Sequence, residues 1–255
     1  VQNNDDHAKM QEDLDRIGEW ATRWGFDLNV DKCCVIQFGD RSQLWPFSIN
    51  GTLLRTSMAE RDLGVRIRSD LHWDDQVNAA TQKARVAAHS IAKAFISKDV
   101  KTWTNMYRTF VRPHIEYAMP AWIPHQSNHL KQLESVQRWF TRQIPGLRHR
   151  DYQERYLVCG LQSVKDRSER GIAIQTYKIV SGLSSTKVQL QPHGHEYETR
   201  GRMDGNLDHV KPKGDVRKYS FAARAPIVWD SVDPVARKAT TINGFKNAYD
   251  STNGF

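Results

Sequence analysis

The sequence predicts an α+β fold: a helix on a small antiparallel sheet, followed by a mainly α-helical bundle and a mixed C-terminal segment. Three observations lead to this prediction. Apolar residues recur at helical spacing near the N-terminus, short extended runs follow it, and long amphipathic patterns dominate from residue 72 onward. These changes of pattern divide the 255 residues into three expected regions, 1–71, 72–150 and 151–255.

The first region opens with a predicted helix over residues 5–24. Its apolar residues are spaced by three and four and form one stripe: Met10, Leu14, Ile17, Trp20 and Trp24. Asp5 or Asp6 is the expected N-cap, and Gly25 suits the left-handed position that follows a helix.

Short strands are predicted after this helix. Asn50-Gly51, between Pro46–Ile49 and Thr52–Arg55, is a strong β-hairpin signal. Further extended runs are expected near Leu28, at Cys33–Phe38 and at Arg61–Ile67. Gly64 lies inside the last of these runs. A glycine in a strand interior often marks a bulge, or a place where another group approaches the backbone closely.

Amphipathic patterns predict helices over most of the remaining chain. The expected ranges are about 73–95, Val100–Val111, 130–144, 164–180, 218–230 and 241–250. Residues 184–215 are polar and rich in Gly, Pro and His, so they are expected to form a long loop with one or two edge strands. The middle helices, with short connections, indicate a helical bundle.

Positive charge is concentrated in the middle region. Residues 1–71 carry 9 basic and 12 acidic side chains (−3), residues 72–150 carry 12 and 5 (+7), and residues 151–255 carry 16 and 12 (+4). Such a distribution favours a polyanionic partner such as nucleic acid, although solvated basic helix faces would give the same count. No apolar run approaches the ~20 residues needed to span a bilayer, so no membrane association is expected.

One basic segment mixes guanidinium groups with aromatic rings and contains no acidic residue. It is the run Arg138-Trp139-Phe140-Thr141-Arg142, continued by Arg148, His149 and Arg150. Arginine forks suit phosphates, and aromatic rings can stack on bases. The alternative is that the rings are buried and the arginines merely solvated. Together with the charge of the middle region, the segment favours nucleic-acid binding.

Metal-site signals are weak. Asp5-Asp6 and Asp74-Asp75 are better explained as carboxylates at helix N-termini than as ligands of a two-metal site. His193-x-His195 has no Cys or acidic partner at ligand spacing. The sequence therefore predicts no metal site in this chain.

The cysteines indicate the compartment. Cys33, Cys34 and Cys159 form no Cys-x-x-Cys pair, and their number is odd. A reducing intracellular compartment, nucleus or cytoplasm, is the simplest interpretation.

The order of these features resembles the C-terminal half of the reverse transcriptases of non-LTR (LINE-type) retrotransposons. The segments that carry the resemblance are MQEDLDRIGEWATRWGFDLNVDKCCVIQFG, FSINGTLL, RDLGVRI, MYRTFVRPHIEYAMPAW, LESVQRWFTRQIPGLRHRDYQERY and, in the tail, VRKYSFAARAPIVWDSVDP and TTINGFKNAYD. The resemblance implies a fragment of an RNA-directed DNA polymerase. Residues 1–71 would be a palm remnant, residues 72–150 the thumb, and residues 151–255 a C-terminal extension.

The resemblance also implies roles for individual residues. Asn29 and Lys32 would lie near the incoming triphosphate, where an ammonium group can neutralise phosphate charge. The primer grip would consist of Asp62, Leu63, Gly64 and Val65. At Gly64 the missing side chain would let the backbone approach the 3′ end of the primer. The cations expected to hold the duplex through its phosphates are Lys83, Arg85, Lys93, Arg112, Arg138, Arg142, Arg148 and Arg150.

Catalysis is expected elsewhere. The family's catalytic aspartates and fingers lie upstream of the matching segments, so this chain is expected to contain no catalytic residue, to bind no cofactor and to be inactive alone. The complete enzyme is expected to need Mg²⁺. The expected partners are the RNA and DNA of the template–primer duplex and the upstream fingers and palm of the same polyprotein. The alternative is a noncatalytic helical module that binds protein or nucleic acid, with the tryptophan-rich stripe of the first helix as its contact face.

Overall fold

The computed structural model describes residues 3–39, 44–192 and 205–254, and it confirms the α+β class. The chain divides into two compact units, residues 1–75 and 76–255. The histidine pair considered above, His193 and His195, lies outside the described residues. No helix in the described part of the chain is both long enough and apolar enough to cross a membrane.

The first unit combines one long helix with very short strands. Its elements are α1 Asn4–Arg23, the 3₁₀ turn Val30–Lys32, β1 Cys34–Val35, β2 Ser48–Ile49, β3 Thr52–Leu53, β4 Arg55–Thr56, β5 Ala59–Asp62 and β6 Val65–Arg68. Strands β2 and β3 pair antiparallel, as do β5 and β6, whereas β1 and β4 pair parallel. The strands therefore form separate two-stranded ladders instead of the single antiparallel sheet predicted.

Helix α1 packs on the β2–β3 hairpin through a face that shares only Leu14 with the predicted apolar stripe. Gln11 Nε2 donates to the Ser48 carbonyl at 2.9 Å, and the Ser48 amide donates to Gln11 Oε1 at 3.0 Å. Gly18 is buried, and it lies about 100° around the helix from Ile17 of the apolar stripe. Most of that stripe is exposed, including Trp20 (54%) and Trp24 (66%).

The start of α1 also differs from the prediction. The side chain of Asn3, not that of Asp5 or Asp6, is the N-cap, and it accepts a hydrogen bond from the Asp6 amide at 2.8 Å. The two aspartates lie in the first turn, where carboxylates interact favourably with the helix dipole. The left-handed Gly25 (φ +71°) follows the helix as predicted.

The second unit is helical. Its helices are α2 Asp74–Ala94, which begins at the end of the first unit, α3 Val100–Met106, α4 Arg112–Glu116, α5 Met119–Trp122, α6 Ser127–Thr141, α7 Tyr152–Cys159, α8 Val164–Val180, α9 Asp215–Lys218, α10 Phe221–Asp230, α11 Pro234–Arg237 and α12 Ile242–Asn253. The predicted helix end before Pro113 is wrong, because the π-helical turn Tyr107–Val111 joins α3 to α4. A π turn interrupts the regular ladder of backbone hydrogen bonds. Pro113 has no amide hydrogen to donate, so its position just after this turn costs the helix little stability.

Aromatic stacks lie at the centre of two packed regions of the second unit. Phe245 is fully buried and stacks on Tyr177, with ring centroids 4.5 Å apart. Trp103 stacks on Phe140 at 4.7 Å, and its indole nitrogen donates to the Phe140 carbonyl at 3.0 Å. The first stack joins α12 to α8, and the second joins α3 to α6.

Truncation of the central ring on α12 tests this packing. Phe245→Ala should lower the free energy of unfolding of the second unit by about 3–5 kcal/mol, because it removes a fully buried ring and leaves a cavity. Urea unfolding followed by circular dichroism measures the loss. Val235→Ala is the control, since Val235 is 76% exposed and its change should stay within about 0.5 kcal/mol. Equal stabilities for the two variants would contradict the assigned core.

Candidate nucleic-acid interface

Helices α2 and α6 lie side by side and run in the same direction. Three successive contacts join them: Gln132 Nε2 donates to Asn78 Oδ1 at 2.7 Å, Arg85 Nη2 donates to Ser135 Oγ at 3.1 Å, and the ring of His89 stacks on that of Trp139 at 4.1 Å. The contacts advance along both helices from N- to C-terminus. Their solvent sides therefore form one continuous surface.

This surface carries cations and almost no carboxylate. The exposed cations of α2, α6 and the turn after α6 form what we call the basic face: Arg85, Lys93, Lys131, Arg138, Arg142, Arg148 and Arg150. Residues 76–98 contain no Asp or Glu, and the one carboxylate of α6, Glu134, is buried. The exposed acids of these helices, Asp74 and Asp75, are confined to the first turn of α2, so the local potential along the rest of the face is positive.

Two guanidinium groups lie over the ring of Tyr152, at the start of α7. The Arg138 guanidinium carbon is 4.3 Å from the ring centroid and that of Arg155 is 5.3 Å away. Arg155 is buried and donates to Thr141 Oγ1 at 3.2 Å and to the Arg150 carbonyl at 2.5 Å. Burial lowers the pKa of Arg155. Arg155 thus links the end of α6 to the basic turn that follows it.

Glu134 connects three helices. One of its oxygens accepts a hydrogen bond from the Tyr152 hydroxyl, and Oε2 accepts one from the Val164 amide at 2.8 Å. Burial raises the pKa of the Glu134 carboxyl. Burial, followed by the neighbouring carboxylate, also raises the pKa of Tyr152. The tyrosine therefore stays a neutral donor, and α6, α7 and α8 are joined at one carboxyl group.

Two predicted phosphate-binding cations lie apart from the basic face. Lys83 is exposed, but it is about 200° around α2 from Arg85. Arg112 is half-buried, with its Nε 3.6 Å from Glu116, and burial lowers the pKa of Arg112. The Glu116 carboxylate also accepts two hydrogen bonds of 2.6 Å from Arg167. Arg112 therefore belongs to an internal ion-pair network.

Asn29 and Lys32 lie together in the first unit. The Asn29 side chain accepts a hydrogen bond from the Lys32 amide at 3.3 Å and so caps the 3₁₀ turn, and both residues are exposed. Their proximity to a triphosphate stays a prediction. Within residues 3–39, 44–192 and 205–254, no three His, Cys, Asp or Glu side chains are grouped so that they could hold a metal ion.

The predicted primer-grip residues form the end of the β5–β6 hairpin. Asp62 pairs with Val65, and the connecting Leu63 and Gly64 have φ angles of +44° and +87°. The prediction that Gly64 lies inside a strand is therefore wrong. Two positive φ angles in succession are typical of a tight hairpin turn, for which glycine is well suited. Leu63 is 85% exposed, whereas Val65 is buried.

Three functional candidates were missed in the sequence. Lys131 precedes Arg138 by seven residues, so helical spacing alone could have placed both on one side of α6. His89 and Arg155 had no such signal, because their roles depend on contacts with α6 and with the turn after it.

Comparison with known proteins identifies relatives among mobile-element polymerases. The RNA-directed DNA polymerase from mobile element jockey of Drosophila melanogaster is 27% identical over 141 residues, which cover 54% of this chain and 15% of the relative. The corresponding polymerase of Drosophila funebris is 27% identical over 143 residues, with the same coverage. The matched segment is thus a small part of these relatives. No protein-family model and no solved structure matches the chain. The resemblance to non-LTR retrotransposon reverse transcriptases is confirmed.

The burial of Glu134 predicts a pH dependence of stability. Its carboxyl pKa is raised above the ordinary value near 4.5, so above that pH the folded state holds the proton more tightly than the unfolded chain. The stability of the unmodified protein relative to Glu134→Gln should therefore fall as pH rises from about 4.5 through the folded-state pKa.

Urea unfolding at a series of pH values measures this difference. Glu154→Gln is the control, because Glu154 is an exposed carboxyl of α7, and its stability should follow that of the unmodified protein. Parallel curves for Glu134→Gln and the unmodified protein would show that the Glu134 carboxyl titrates alike in both states.

Proposed function

We propose that this chain is a segment of a non-LTR retrotransposon RNA-directed DNA polymerase and that its basic face holds the template–primer duplex. The observation that carries the proposal is the row of exposed cations on two adjacent helices, α2 and α6, which present no exposed carboxylate beyond the first turn of α2. The mobile-element polymerases to which the chain is similar support it. In this proposal nucleotidyl transfer, with its Mg²⁺ ions, belongs to the complete polymerase.

The spacing of the cations suits a polyanion. Arg138 and Arg142 are one helical turn apart, about 6 Å along α6, and Lys131 lies about 10 Å before Arg138. The axes of packed helices are about 8–10 Å apart, so Arg85 and Lys93 on α2 form a second row beside the first. Guanidinium forks donate in pairs to phosphate oxygens without reading bases. Binding should therefore be independent of sequence and sensitive to salt.

Charge reversal on α6 tests the proposal. Arg138→Glu combined with Arg142→Glu should weaken binding of a labelled RNA–DNA hybrid at least tenfold at low salt. It should also make the negative slope of log K against log salt shallower by about 2, since each lost phosphate contact removes roughly 0.9 from its magnitude. Fluorescence anisotropy between about 50 and 200 mM salt measures both quantities, and thermal unfolding verifies that the variant is folded.

The matched control is Lys187→Glu combined with Lys238→Glu, two exposed cations of the same unit. Lys238 lies next to Ala239, whose carbonyl accepts a hydrogen bond from the Tyr177 hydroxyl on α8. Tyr177 is about 20 Å along α8 from Val164, the residue whose amide binds Glu134 of α6. Lys238 is therefore near the opposite end of α8 from the contact with α6. This control should lose much less affinity. Equal losses of affinity in the two double variants would show that binding depends on net charge and not on the basic face. Binding that does not change with salt would contradict the proposal.

A second proposed contact is with protein. Helix α1 exposes Ile17 (49%), Trp20 (54%) and Trp24 (66%), and Phe26 stacks on Trp20 at 5.8 Å. Apolar patches of this kind usually mark interaction surfaces. We propose that this face docks on the fingers and palm portion of the same polymerase. A partner-binding module without a nucleic-acid role would use the same face, but its binding would be indifferent to the basic face.

Polar substitution of the two indoles separates these contacts. Trp20→Ser combined with Trp24→Ser should weaken association with the separately expressed fingers and palm segment at least tenfold and leave hybrid binding within twofold. Leu157→Ser is the control, because Leu157 is 83% exposed in the other unit. Calorimetry measures the association. Unchanged association in the double variant would exclude this face as the docking surface.

A further inference from the structure

An open pocket lies between helices α6, α7 and α8 of the second unit. Its volume is about 640 Å³, which is within the range of about 300–1,000 Å³ that is usual for ligand pockets. Its apolar lining includes Leu130 of α6, Leu157 of α7 and Leu161, which follows α7. Leu161 is buried, whereas Leu157 is 83% exposed. The proposed contacts with a duplex leave this aliphatic surface unused.

Cations surround the aliphatic lining. Lys131 and Arg138 line the pocket from α6 and Lys165 lines it from α8, and all three are exposed. The Lys165 ammonium is 3.9 Å from a carboxylate oxygen of Glu169, and an exposed ion pair of this kind contributes little. Among the described residues that line the pocket, Asp166 is the exposed carboxylate. The pocket therefore presents a net positive charge.

The remaining carboxyl group and the aromatic rings of the lining are already in use. Glu134 is buried, and its oxygens accept hydrogen bonds from the Tyr152 hydroxyl and the Val164 amide. Two guanidinium groups lie over the ring of Tyr152, and Tyr156 is only 8% exposed. A nucleic-acid base needs an exposed ring on which to stack, and these rings offer little free surface. The groups left for a ligand are aliphatic side chains and cations.

We propose that this pocket binds an acidic segment of a partner protein, with an aliphatic side chain in the pocket and neighbouring Asp or Glu residues on its cations. Because the pocket is wide open, a small molecule bound there would keep much of its surface in water. A peptide can instead insert one side chain and continue along the protein surface. A simple anion would leave the leucines uncovered, and a neutral peptide would leave the cations without partners. The inference goes beyond the proposed function, because it assigns a protein partner.

The spacing of the cations suits a short segment. Lys131 and Arg138 are seven residues apart on α6, which corresponds to about 10 Å along the helix axis. An extended chain advances about 3.3 Å per residue, so acidic residues three positions apart can contact both cations. The aliphatic residue is expected between these acidic positions, where it can cover the leucines.

Peptide display tests the pocket. A phage library of random peptides of about twelve residues is selected against the 255-residue chain, and enriched peptides are titrated by fluorescence anisotropy. They should contain an aliphatic residue flanked by Asp or Glu. Leu157→Ser should weaken their binding about tenfold, because the aliphatic residue loses an apolar contact. The matched control, Val235→Ser, changes a side chain that is 76% exposed in the same unit and should lower the affinity less than twofold.

Charge reversal at the pocket provides a second measurement. Lys165→Glu should weaken binding of the same peptides about fivefold at low salt, because it places a carboxylate beside their acidic residues. Lys187→Glu is the control, since it reverses an exposed charge of the same unit, and it should lower the affinity less than twofold. Thermal unfolding verifies that each variant is folded.

The outcomes separate the pocket from the proposed function. Enriched acidic peptides that lose affinity in Leu157→Ser and Lys165→Glu support the pocket, whether or not the chain binds an RNA–DNA hybrid. Enriched peptides without acidic residues, binding that is unchanged in both variants, or failure to enrich any peptide would overturn it. Weaker hybrid binding by Leu157→Ser, which the proposed function does not predict, would assign the pocket to nucleic acid and so overturn the peptide contact.

Discussion

The geometry of the basic face depends on the buried carboxyl group of Glu134. It ties the middle of α6 to the first residue of α7 and to the first amide of α8 through two hydrogen bonds. The Tyr152 ring held in this way is the surface on which Arg138 lies. A buried acid of this kind is costly unless both oxygens have partners. The exposed end of Arg138 is therefore positioned by an interior interaction.

Burial and partners, more than the number of cations, separate structural arginines from those available to a ligand. Arg112 and Arg167 share Glu116, and Arg155 is buried against Thr141 and the Arg150 carbonyl. These groups exchange solvation for fixed contacts inside the protein. The exposed cations of α2 and α6 keep their hydration, so phosphate contact costs them less desolvation. The net charge of +7 counted for residues 72–150 includes both internally paired arginines and exposed cations.

The sequence predicted elements better than it predicted the faces they use. Periodicity identified α1, α2, α6 and α8, because helix formation is signalled locally. It identified only part of the face of α1 that packs: Leu14 contacts the hairpin core, but the polar Gln11 and the side-chain-free Gly18 complete the contact, and most of the predicted stripe stays exposed. The basic segment after residue 138 was found from composition alone. The partner of Arg112, Glu116, is four residues later, so helical spacing could have predicted that ion pair. Arg167 of α8, which also binds Glu116, comes about fifty residues later, and no local pattern reveals it.

Net charge is a poor guide to where a nucleic acid would bind the first unit. Its residues are acidic overall, −3 over residues 1–71, yet two exposed arginines, Arg61 and Arg66, lie directly opposite each other in β5 and β6. At 0.15 M salt electrostatic interactions between exposed charges are screened beyond about 8 Å. A charged ligand at this strand pair would therefore respond mainly to the charges within that distance and less to the sum over residues 1–71. Strand register locates this positive surface, whereas charge summed over the region conceals it.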